Sequence, residues 1–429
     1  MDFFSEKDQK TAYKKNSAAN KLSFQDKRFH DWYRFVLSFP PHLVRQYIDQ
    51  FGLHSGKTVL DPFCGTGTTL VESKVQGIDS IGIEANPMAH FASKVKIDWR
   101  ITGNDLIDHA NRIADRAARM IQKEQLKTLR TLSTEACSLL LSDSISPLPL
   151  HKSLILLEAI QCSKDDEYHH HELLAFAKAL VFSISNLHFG PEVGVCRIKK
   201  QDAPVIELWM KEIISMANDL TAIPEHQASA EVHLADARQL STILKPNSID
   251  AVFTSPPYPN EKDYTRTTRL ESVLLGFINN KAELRNFKQG LIRSNTRNVY
   301  KGDADDRWVT DHHEIQSTAA AIEKRRIELN KTSGFEKLYG RVTRLYFGGM
   351  ARHLAELRSF LKPSAYLGYV VGDQASYLQV MIKTGELLAD IAQSLGYKVL
   401  DIDLFRTRFA TVTKKQMREE VVILQWLGP

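Results

Sequence analysis

The sequence is poor in cysteine and has no long hydrophobic run. Its 429 residues include only four cysteines, scattered without the paired spacing of a zinc site or a disulfide framework. Such sparing use of cysteine favours the reducing cytoplasm. No uninterrupted apolar stretch approaches the roughly 20 residues that span a bilayer. Residues 1–7 also lack a basic stretch followed by an apolar core, so we expect neither a secretory signal nor membrane association.

Positive charges exceed negative charges by only a small number. The net charge is +5, with 43% apolar and 25% charged residues, which is ordinary for a globular protein. Residues 260–345 hold 17 Lys/Arg against 12 Asp/Glu, whereas residues 101–228 hold 13 against 17. The local positive excess suits a polyanion, with a solvated helical surface as the alternative. The run His169 to His171 is more typical of a solvated helix face than of a metal site, and we predict no metal.

A glycine-rich turn follows the first predicted strand. Residues 61–69 read Asp-Pro-Phe-Cys-Gly-Thr-Gly-Thr-Thr and come directly after the apolar run 58–60. Gly65 and Gly67 allow a sharp turn and a close approach of the backbone to a ligand. The helix that follows begins with free N–H groups, which favour electron-rich atoms. The turn therefore suits a nucleotide-like cofactor.

A carboxylate lies at the end of the second predicted strand. Glu84 follows the glycine turn at about the 20-residue distance from which dinucleotide-binding folds hold a ribose diol. A P-loop is disfavoured because no Lys follows Gly67, and a dehydrogenase fingerprint is disfavoured because Leu70 stands in place of its third glycine. The pattern therefore indicates a cofactor of another kind.

A second turn follows a second buried strand. Residues 254–258, Thr-Ser-Pro-Pro-Tyr, come after the apolar run 249–253. The exocyclic amine of a nucleobase is a poor nucleophile, because its lone pair is delocalised into the ring. The Ser255 hydroxyl and the Pro256 carbonyl can accept hydrogen bonds from both N–H groups, and the Tyr258 ring can stack on the base. The segment is therefore suited to hold and activate such an amine.

Together the two segments resemble motifs of the S-adenosylmethionine-dependent amino-methyltransferases of nucleic acids, which methylate N4 of cytosine, N6 of adenine or N2 of guanine. The resemblance implies S-adenosylmethionine as the cofactor, and it places the ribose at Glu84 and the adenine amino group at Asp236, for which a strand-end cap is the alternative. The segment 31–43 resembles the motif that closes over the cofactor. The expected cofactor-binding residues are Asp61, Phe63, Gly65, Gly67, Thr68, Thr69, Glu84, Asn86 and Asp236. The expected catalytic residues are Ser255, Pro256, Pro257 and Tyr258.

The resemblance favours DNA as the substrate and N4 of cytosine as the target. Ser at position 255 goes most often with cytosine in this family, and Asp with adenine. A 5-methylcytosine enzyme is disfavoured, because it needs a Cys nucleophile where Tyr258 follows Pro257. Adenine N6, a tRNA-type guanine N2 and a non-catalytic nucleic-acid-binding protein stay open as alternatives. The expected partners are DNA and other components of a modification or defence system.

We predict a doubly wound, Rossmann-like α/β methyltransferase sheet with two largely helical insertions. The expected segments are 1–100 (N-terminal arm and cofactor half), 101–228 (first insertion), 229–261 (catalytic motif), 262–345 (basic insertion) and 346–429 (end of the sheet). The basic insertion follows Tyr258 and is the candidate target-recognition segment. Its candidate contacts to phosphates or bases are Arg266, Arg269, Arg293 and Arg297.

Hydrophobic periodicity and turn residues set the expected elements. Prolines at 147 and 149 are expected to break a helical run, and Lys362-Pro363 to form a turn. The expected strands are 58–61, 80–84, 232–236, 249–254, 366–371, 397–405 and 420–427. The expected helices include 41–51, 68–76, 151–161, 168–187, 204–221, 347–361 and 376–395.

Overall fold

A seven-stranded sheet forms the centre of the protein, in a computed structural model that describes residues 22–35, 38–124, 128–190, 192–223, 228–410 and 415–428. Its order is β5-β2-β1-β6-β7-β9-β8, and β3 and β4 form a separate hairpin. This is the predicted Rossmann-like, doubly wound sheet. The described strands are β1 (Thr58–Asp61), β2 (Asp79–Glu84), β3 (Leu187–Phe189), β4 (Val193–Val195), β5 (Ala230–Leu234), β6 (Ile249–Thr254), β7 (Leu361–Gly372), β8 (Lys398–Ala410) and β9 (Lys415–Trp426).

The strand order reverses between β1 and β6. The strands β5, β2, β1, β6 and β7 pair in parallel, whereas β9 runs antiparallel to both β7 and β8. In open sheets of this kind, ligands bind at the point of reversal, outside the carboxyl ends of the strands. The two sequence motifs leave β1 and β6 at this edge, so the fold brings them together.

Helices pack on both faces of the sheet. Val59 and Leu60 are neighbours on β1, and because side chains alternate along a strand they enter different cores, one under α1 and the other under α13 and α14. The described α-helices are α1 (Pro41–Gln50), α2 (Thr68–Val75), α3 (Pro87–Lys96), α4 (Gly103–Glu124), α5 (Thr134–Cys137), α6 (Pro147–Cys162), α7 (His169–Ala179), α8 (Val205–Leu220), α9 (Tyr264–Thr267), α10 (Arg269–Leu274), α11 (Lys281–Gln289), α12 (His313–Glu328), α13 (Tyr339–Leu357) and α14 (Thr384–Ser394).

The segment 101–228 contains helices α4 to α8 and the β3–β4 hairpin. Its helices bury an apolar core that includes Trp209. Pro147 begins α6 instead of breaking a helix, because proline at the first helical position lacks only an N–H that would be unpaired anyway. The helix expected over 168–187 is too long, since α7 gives way to a π-helical turn at Leu180–Ile184 and then to β3.

Two expectations near the end of the chain are wrong in their bounds. The helix expected over 347–361 begins earlier, as α13, and the helix expected over 376–395 is shorter, as α14. The turn expected at Lys362-Pro363 lies inside β7, where the pairing with β6 shifts register and Ser364 adopts a φ of 69°. The shift takes proline out of the regular ladder, in which it could not donate a hydrogen bond.

None of the helices in the described part of the chain combines the length and the hydropathy of a membrane span. The three histidines at the start of α7 do not form one solvated face, because His171 is buried and its Nε2 lies 3.0 Å from the Asp98 carbonyl oxygen. Over the same described ranges, no group of three or more His, Cys, Asp or Glu side chains is arranged to hold a metal ion.

Candidate active site

A cavity of about 250 Å³ opens at the carboxyl ends of β1, β2 and β6. The glycine turn and the Ser255–Tyr258 segment form two of its walls. The segment 31–43, which was expected to close over a cofactor, contributes Tyr33, Phe35 and Phe39. Further walls come from the β3–β4 hairpin, the segment 287–298 and β8. Both insertions therefore reach the same space as the two motifs.

The two glycines of the turn have different roles. Gly65 has a φ of +52° and borders the cavity, and a Cβ placed on it would meet open space. Gly67 has a φ of +80°, and a Cβ there would lie 2.4 Å from the Oγ of Ser93 on α3. Gly65 thus exposes its backbone to a ligand, whereas Gly67 lets the turn pack against α3.

Asp61 joins the two motifs beneath the cavity. Its Oδ1 accepts hydrogen bonds from the Thr254 hydroxyl at 2.5 Å and from the Phe63 N–H at 3.2 Å. Its Oδ2 is buried without a partner in the described residues. Burial raises the pKa of Asp61 to about 6, against the lowering effect of these hydrogen bonds. Asp61 therefore fixes the turn from behind and does not border the cavity.

Glu84 borders the cavity at the end of β2. Its two carboxylate oxygens accept hydrogen bonds from the Gly65 N–H at 2.8 Å and the Asn86 N–H at 2.7 Å. Burial nevertheless raises the pKa of Glu84 to about 7. The carboxylate is held in one orientation and still has lone pairs for donors on a ligand.

The other residues expected around the cofactor divide between wall and support. Phe63 and Thr68 border the cavity, and the Phe63 ring packs edge-on against buried His353 at a centroid distance of 5.0 Å. Asn86 also borders it, but its Oδ1 caps α3 by accepting from the N–H of Met88 at 3.0 Å. Thr69 lies behind the wall, where its hydroxyl donates to the Phe253 carbonyl at 3.2 Å.

Asp236 borders the cavity and is also an ion-pair partner. Its Oδ2 lies 2.6 Å from Nη2 of buried Arg238, and its Oδ1 accepts the Arg238 N–H at 2.9 Å. Nη1 of Arg238 reaches Asp305, which lies outside the cavity. The carboxylate is therefore oriented by Arg238, and both the cap and the ligand contact expected from the sequence are compatible with its position.

The Ser255 hydroxyl is directed into the sheet by one hydrogen bond. It donates to the Val370 carbonyl oxygen on β7 at 3.0 Å. The one O–H proton is thereby used, and the oxygen, which lies beside the Tyr258 side chain, can act only as an acceptor towards other groups. In the described residues no N–H or hydroxyl donates to the Pro256 carbonyl, and Pro256 and Pro257 both border the cavity. The segment therefore presents two acceptor oxygens at the cavity, and their role in holding a base stays a prediction.

The Tyr258 ring forms the next part of the wall. A Cβ on Gly372 would come within 3.1 Å of its Cε2, so the ring lies directly on the end of β7. The Tyr258 N–H donates to the hydroxyl oxygen of Tyr264 at 3.3 Å. Burial and the nearby charge of Glu419 raise the pKa of Tyr258, so the phenol stays protonated. The ring is fixed in place as a flat apolar surface.

Two contributors to the site had no sequence signal. Lys96 is fully buried and donates to the carbonyl oxygens of Thr66 at 2.7 Å and Tyr33 at 3.4 Å, so it links the glycine turn to Tyr33. Burial lowers the pKa of Lys96 to about 7. Arg406 on β8 borders the cavity beside Glu419 on β9. A lysine in an amphipathic helix and an arginine in a late strand resemble ordinary surface residues in a sequence.

The four arginines chosen as nucleic-acid contacts separate into two pairs. Arg269 is buried and bonds the Thr265 hydroxyl at 2.6 Å, and Arg293 is buried and pairs with Asp303 at 2.8 Å. These two stabilise the fold around α9 to α11, and we withdraw them as DNA contacts. Arg266 is partly exposed and Arg297 is exposed, so both stay candidates.

The residues around the cavity fit S-adenosylmethionine. Glu84 offers oriented acceptors for the two hydroxyls of a ribose, and Gly65 leaves backbone open to the ligand. Phe63 and Ile292 add apolar surface to the wall of the cavity. The carboxylates of Asp61 and Glu84 make the local field suitable for a sulfonium cation. A P-loop lysine, which a triphosphate would need, is missing from the turn.

Comparisons with known proteins agree with this geometry. A family model described as DNA methylase matches residues 3–94. The Type II methyltransferase M.BsoBI of Geobacillus stearothermophilus is 25% identical over 423 residues, which cover 90% of this chain and 81% of that protein. The Type II methyltransferase M.AvaI of Nostoc sp. is 23% identical over 458 residues, which cover 95% of this chain and 89% of that protein.

A shorter likeness connects the chain to an RNA enzyme. The tRNA (guanine(10)-N2)-dimethyltransferase of Methanothermobacter thermautotrophicus is 34% identical over 64 residues, which cover 15% of this chain and 16% of that protein. The likeness to the two Type II methyltransferases extends over nearly the whole chain, whereas this one is confined to a small part.

Proposed function

We propose that this chain, which belongs to the S-adenosylmethionine-dependent amino-methyltransferase family, methylates N4 of cytosine at specific sites in duplex DNA. It is a methyltransferase, and its cofactor is S-adenosylmethionine. The observation that carries the proposal is the orientation of Ser255, whose hydroxyl donates to Val370 and so faces the cavity as a neutral acceptor. Serine at this position goes most often with cytosine in the family that the motifs resemble.

The protein must do two things for methyl transfer to occur. The bound cofactor supplies an activated methyl group, so the chain must align the target nitrogen and make its lone pair available. Ser255 and the Pro256 carbonyl each accept one N–H of the target amine, which draws the nitrogen away from conjugation with the ring. The Tyr258 ring supports the base from one side.

The cavity requires the base to leave the helix. Ser255 and Tyr258 line the cavity, and a base that is stacked inside a duplex must be swung out of the helix to enter it. Unstacking one nucleotide costs a few kcal/mol, which contacts to the flipped base and to the DNA backbone must offset. The cavity is lined by aromatic side chains at Tyr33, Phe63 and Phe405, which favour an unstacked base or the cofactor purine.

The proposal of DNA over RNA is supported by the extent of the likenesses. M.BsoBI and M.AvaI, whose matches cover 90% and 95% of this chain, are named as Type II methyltransferases. The tRNA enzyme shares only a stretch of 64 residues. On this basis we also propose a role in a type II modification system.

Adenine N6 is the second candidate. A neutral acceptor pair at Ser255 and Pro256 can hold the amino group of either base, because both amines carry two N–H donors. The difference must then come from the remaining edge of the base, where cytosine presents an O2 acceptor and adenine a C–H.

The test is methyl transfer from labelled S-adenosylmethionine to unmethylated genomic DNA and, separately, to total RNA, followed by nucleoside mass spectrometry. We expect N4-methylcytosine from DNA, and about 100-fold less or lower with Ser255→Ala, which controls for contaminating methylases. N6-methyladenine would replace the proposal by the second candidate. Label in RNA alone would refute DNA as the substrate.

A further inference from the structure

We propose that the outer end of the β8–β9 hairpin is a DNA-docking arm that contacts the duplex beside the flipped base. The arm consists of residues 407–410 of β8 and 415–418 of β9. The inference rests on the proposed function and goes beyond it, because the expected target-recognition segment was 262–345. It assigns part of the DNA contact to a different element.

The arm is a two-stranded ribbon that extends past the sheet. β9 pairs with β7 as far as Glu419, opposite Gly372. Beyond that pair, β8 and β9 continue to pair only with each other, from Thr407–Arg418 to Ala410–Lys415. One further bond, from the Asp373 N–H to the Arg418 carbonyl at 2.8 Å, holds the base of the ribbon. A two-stranded ribbon of this width can enter the major groove of B-DNA.

The inner face of the ribbon meets the rim of the cavity. Arg406 and Arg408 both border the cavity, and the buried carboxylate of Glu419 lies between them, 3.6 Å from Nε of Arg408. Nη2 of Arg408 also donates to the Asp373 carbonyl at 3.2 Å. These contacts hold the Arg408 guanidinium at the rim, and its side chain is still 43% exposed. A phosphate next to the flipped nucleotide would pass this point.

The outer face is exposed and carries both cationic and apolar groups. Phe409 is 55% exposed, and the Arg418 side chain is 51% exposed beside Glu420. Gln416 is also exposed on this face. An exposed phenylalanine next to arginines suits contact with sugar and base edges better than contact with water alone. The arginine at the rim suits a phosphate, and the exposed outer face suits the edge of a groove. Together the two faces favour duplex DNA.

The experiment measures the salt dependence of DNA binding by the full chain. Fluorescence anisotropy with a labelled duplex that contains the methylation site gives dissociation constants at several salt concentrations. Each lost phosphate contact lowers the slope of log Kd against log salt by about 0.9. We expect Arg408→Ala and Arg418→Ala each to lower the slope by about that amount, and the double variant by about twice as much.

Three controls test whether a change in slope comes from a lost phosphate contact of the ribbon. Arg116→Ala removes an exposed arginine on α4, away from the cavity and the ribbon, and should leave the slope unchanged. Arg408→Lys should restore the slope, because a lysine still neutralises a phosphate. Thermal unfolding and circular dichroism of every variant, compared with the wild type, show whether it is folded.

The possible outcomes distinguish failure of the docking-arm proposal from failure of the proposed function. If the wild type methylates DNA and the ribbon variants keep the wild-type slope, the arm is refuted and the proposed function stands. If a duplex RNA competes better than duplex DNA and the competition depends on Arg408, the DNA-docking role is wrong. If the wild type neither binds nor methylates DNA, both proposals fall.

Discussion

The Ser255 hydroxyl donates its proton to the Val370 carbonyl oxygen, 3.0 Å away on the neighbouring strand. The serine oxygen is therefore an acceptor before any base arrives. In Ser255→Ala this acceptor is lost, and we expect kcat to fall about 100-fold or more, as when one oriented polar group is removed from other active sites. The dissociation constant for S-adenosylmethionine should change less than about twofold, because the lost contact acts in the transition state. Single-turnover methylation and calorimetry measure the two quantities. An equal loss in both would show that Ser255 supports the cofactor instead.

Glu84 should make cofactor binding depend on pH. Its pKa is raised to about 7 by burial, and its ionised form is the one that accepts two hydrogen bonds from a ribose. Binding therefore favours the ionised carboxylate, and below pH 7 it must displace a proton. We expect Kd for S-adenosylmethionine to rise towards tenfold per pH unit as the pH falls from about 6.5 to 5.5. Glu84→Gln should bind more weakly and lose this dependence. A wild-type Kd that is flat over the same range would contradict the assignment of the ribose to Glu84.

Gly67 should be intolerant of a side chain for a packing reason. A Cβ at this position would lie 2.4 Å from Ser93 Oγ, and the backbone φ of +80° disfavours any L residue. We expect Gly67→Ala to lower the free energy of unfolding by about 2–4 kcal/mol, the sum of overpacking and left-handed strain. Adding Ser93→Gly should recover part of the loss, because it removes the clash and leaves the strain. Urea unfolding of both variants tests this, and no recovery in the double variant would exclude the packing explanation.

Gly65→Ala is the matched comparison within the same turn. Its Cβ would meet open space at the cavity, so the penalty on folding should be the left-handed strain of about 1 kcal/mol alone. The new methyl group would instead occupy volume that the cofactor needs. We therefore expect a larger loss of cofactor affinity in Gly65→Ala than in Gly67→Ala, measured by calorimetry on the folded fraction. The reverse order would place the cofactor away from Gly65.

Substitutions of Asp236 and Asp305 distinguish a contact with the cofactor from the ion pair with Arg238. Both carboxylates bind Arg238, but only Asp236 borders the cavity. Asp236→Asn and Asp305→Asn should each cost stability by weakening a buried pair, by about 1–3 kcal/mol. Only Asp236→Asn should weaken cofactor binding, and it should do so less for an analogue whose purine lacks the amino group. Equal effects of the two substitutions on binding would leave Asp236 as a strand-end cap and partner of Arg238.

The cofactor half of the site could be predicted because its determinants are close together in the chain. The apolar run of β1, the turn with Gly65, and Glu84 at the end of β2 form one local βαβ unit. Each residue there has a conformational or hydrogen-bonding requirement that its type reveals. The Ser255–Tyr258 segment could be predicted for the same reason, since it directly follows a buried strand.

Contacts between distant segments could not be predicted from composition. Arg269 and Arg293 count as positive charge in a sequence, and only the fold shows that Thr265 and Asp303 consume their donors. The two residues are therefore structural, although the segment that contains them is basic. Lys96 was missed because nothing in the sequence of α3 shows that its ammonium group would be fully buried against two carbonyl oxygens.

The predicted turn at Lys362-Pro363 was wrong for a related reason. Lys362-Pro363 has the composition of a turn, but β7 continues through it, because β6 and β9 lie on either side and a register shift accommodates the proline. Tertiary pairing outweighed the local preference.

Because Ser255 is oriented by Val370, the two halves of the site are completed at different stages of synthesis. The glycine turn is complete when the first hundred residues have left the ribosome, but the strand that carries Val370 is made much later, and the Arg406–Glu419 rim is made last. A chain that stops before β7 holds the residues for a cofactor but no oriented acceptor for a base. Under the proposed function, we therefore expect such a truncated chain not to methylate DNA.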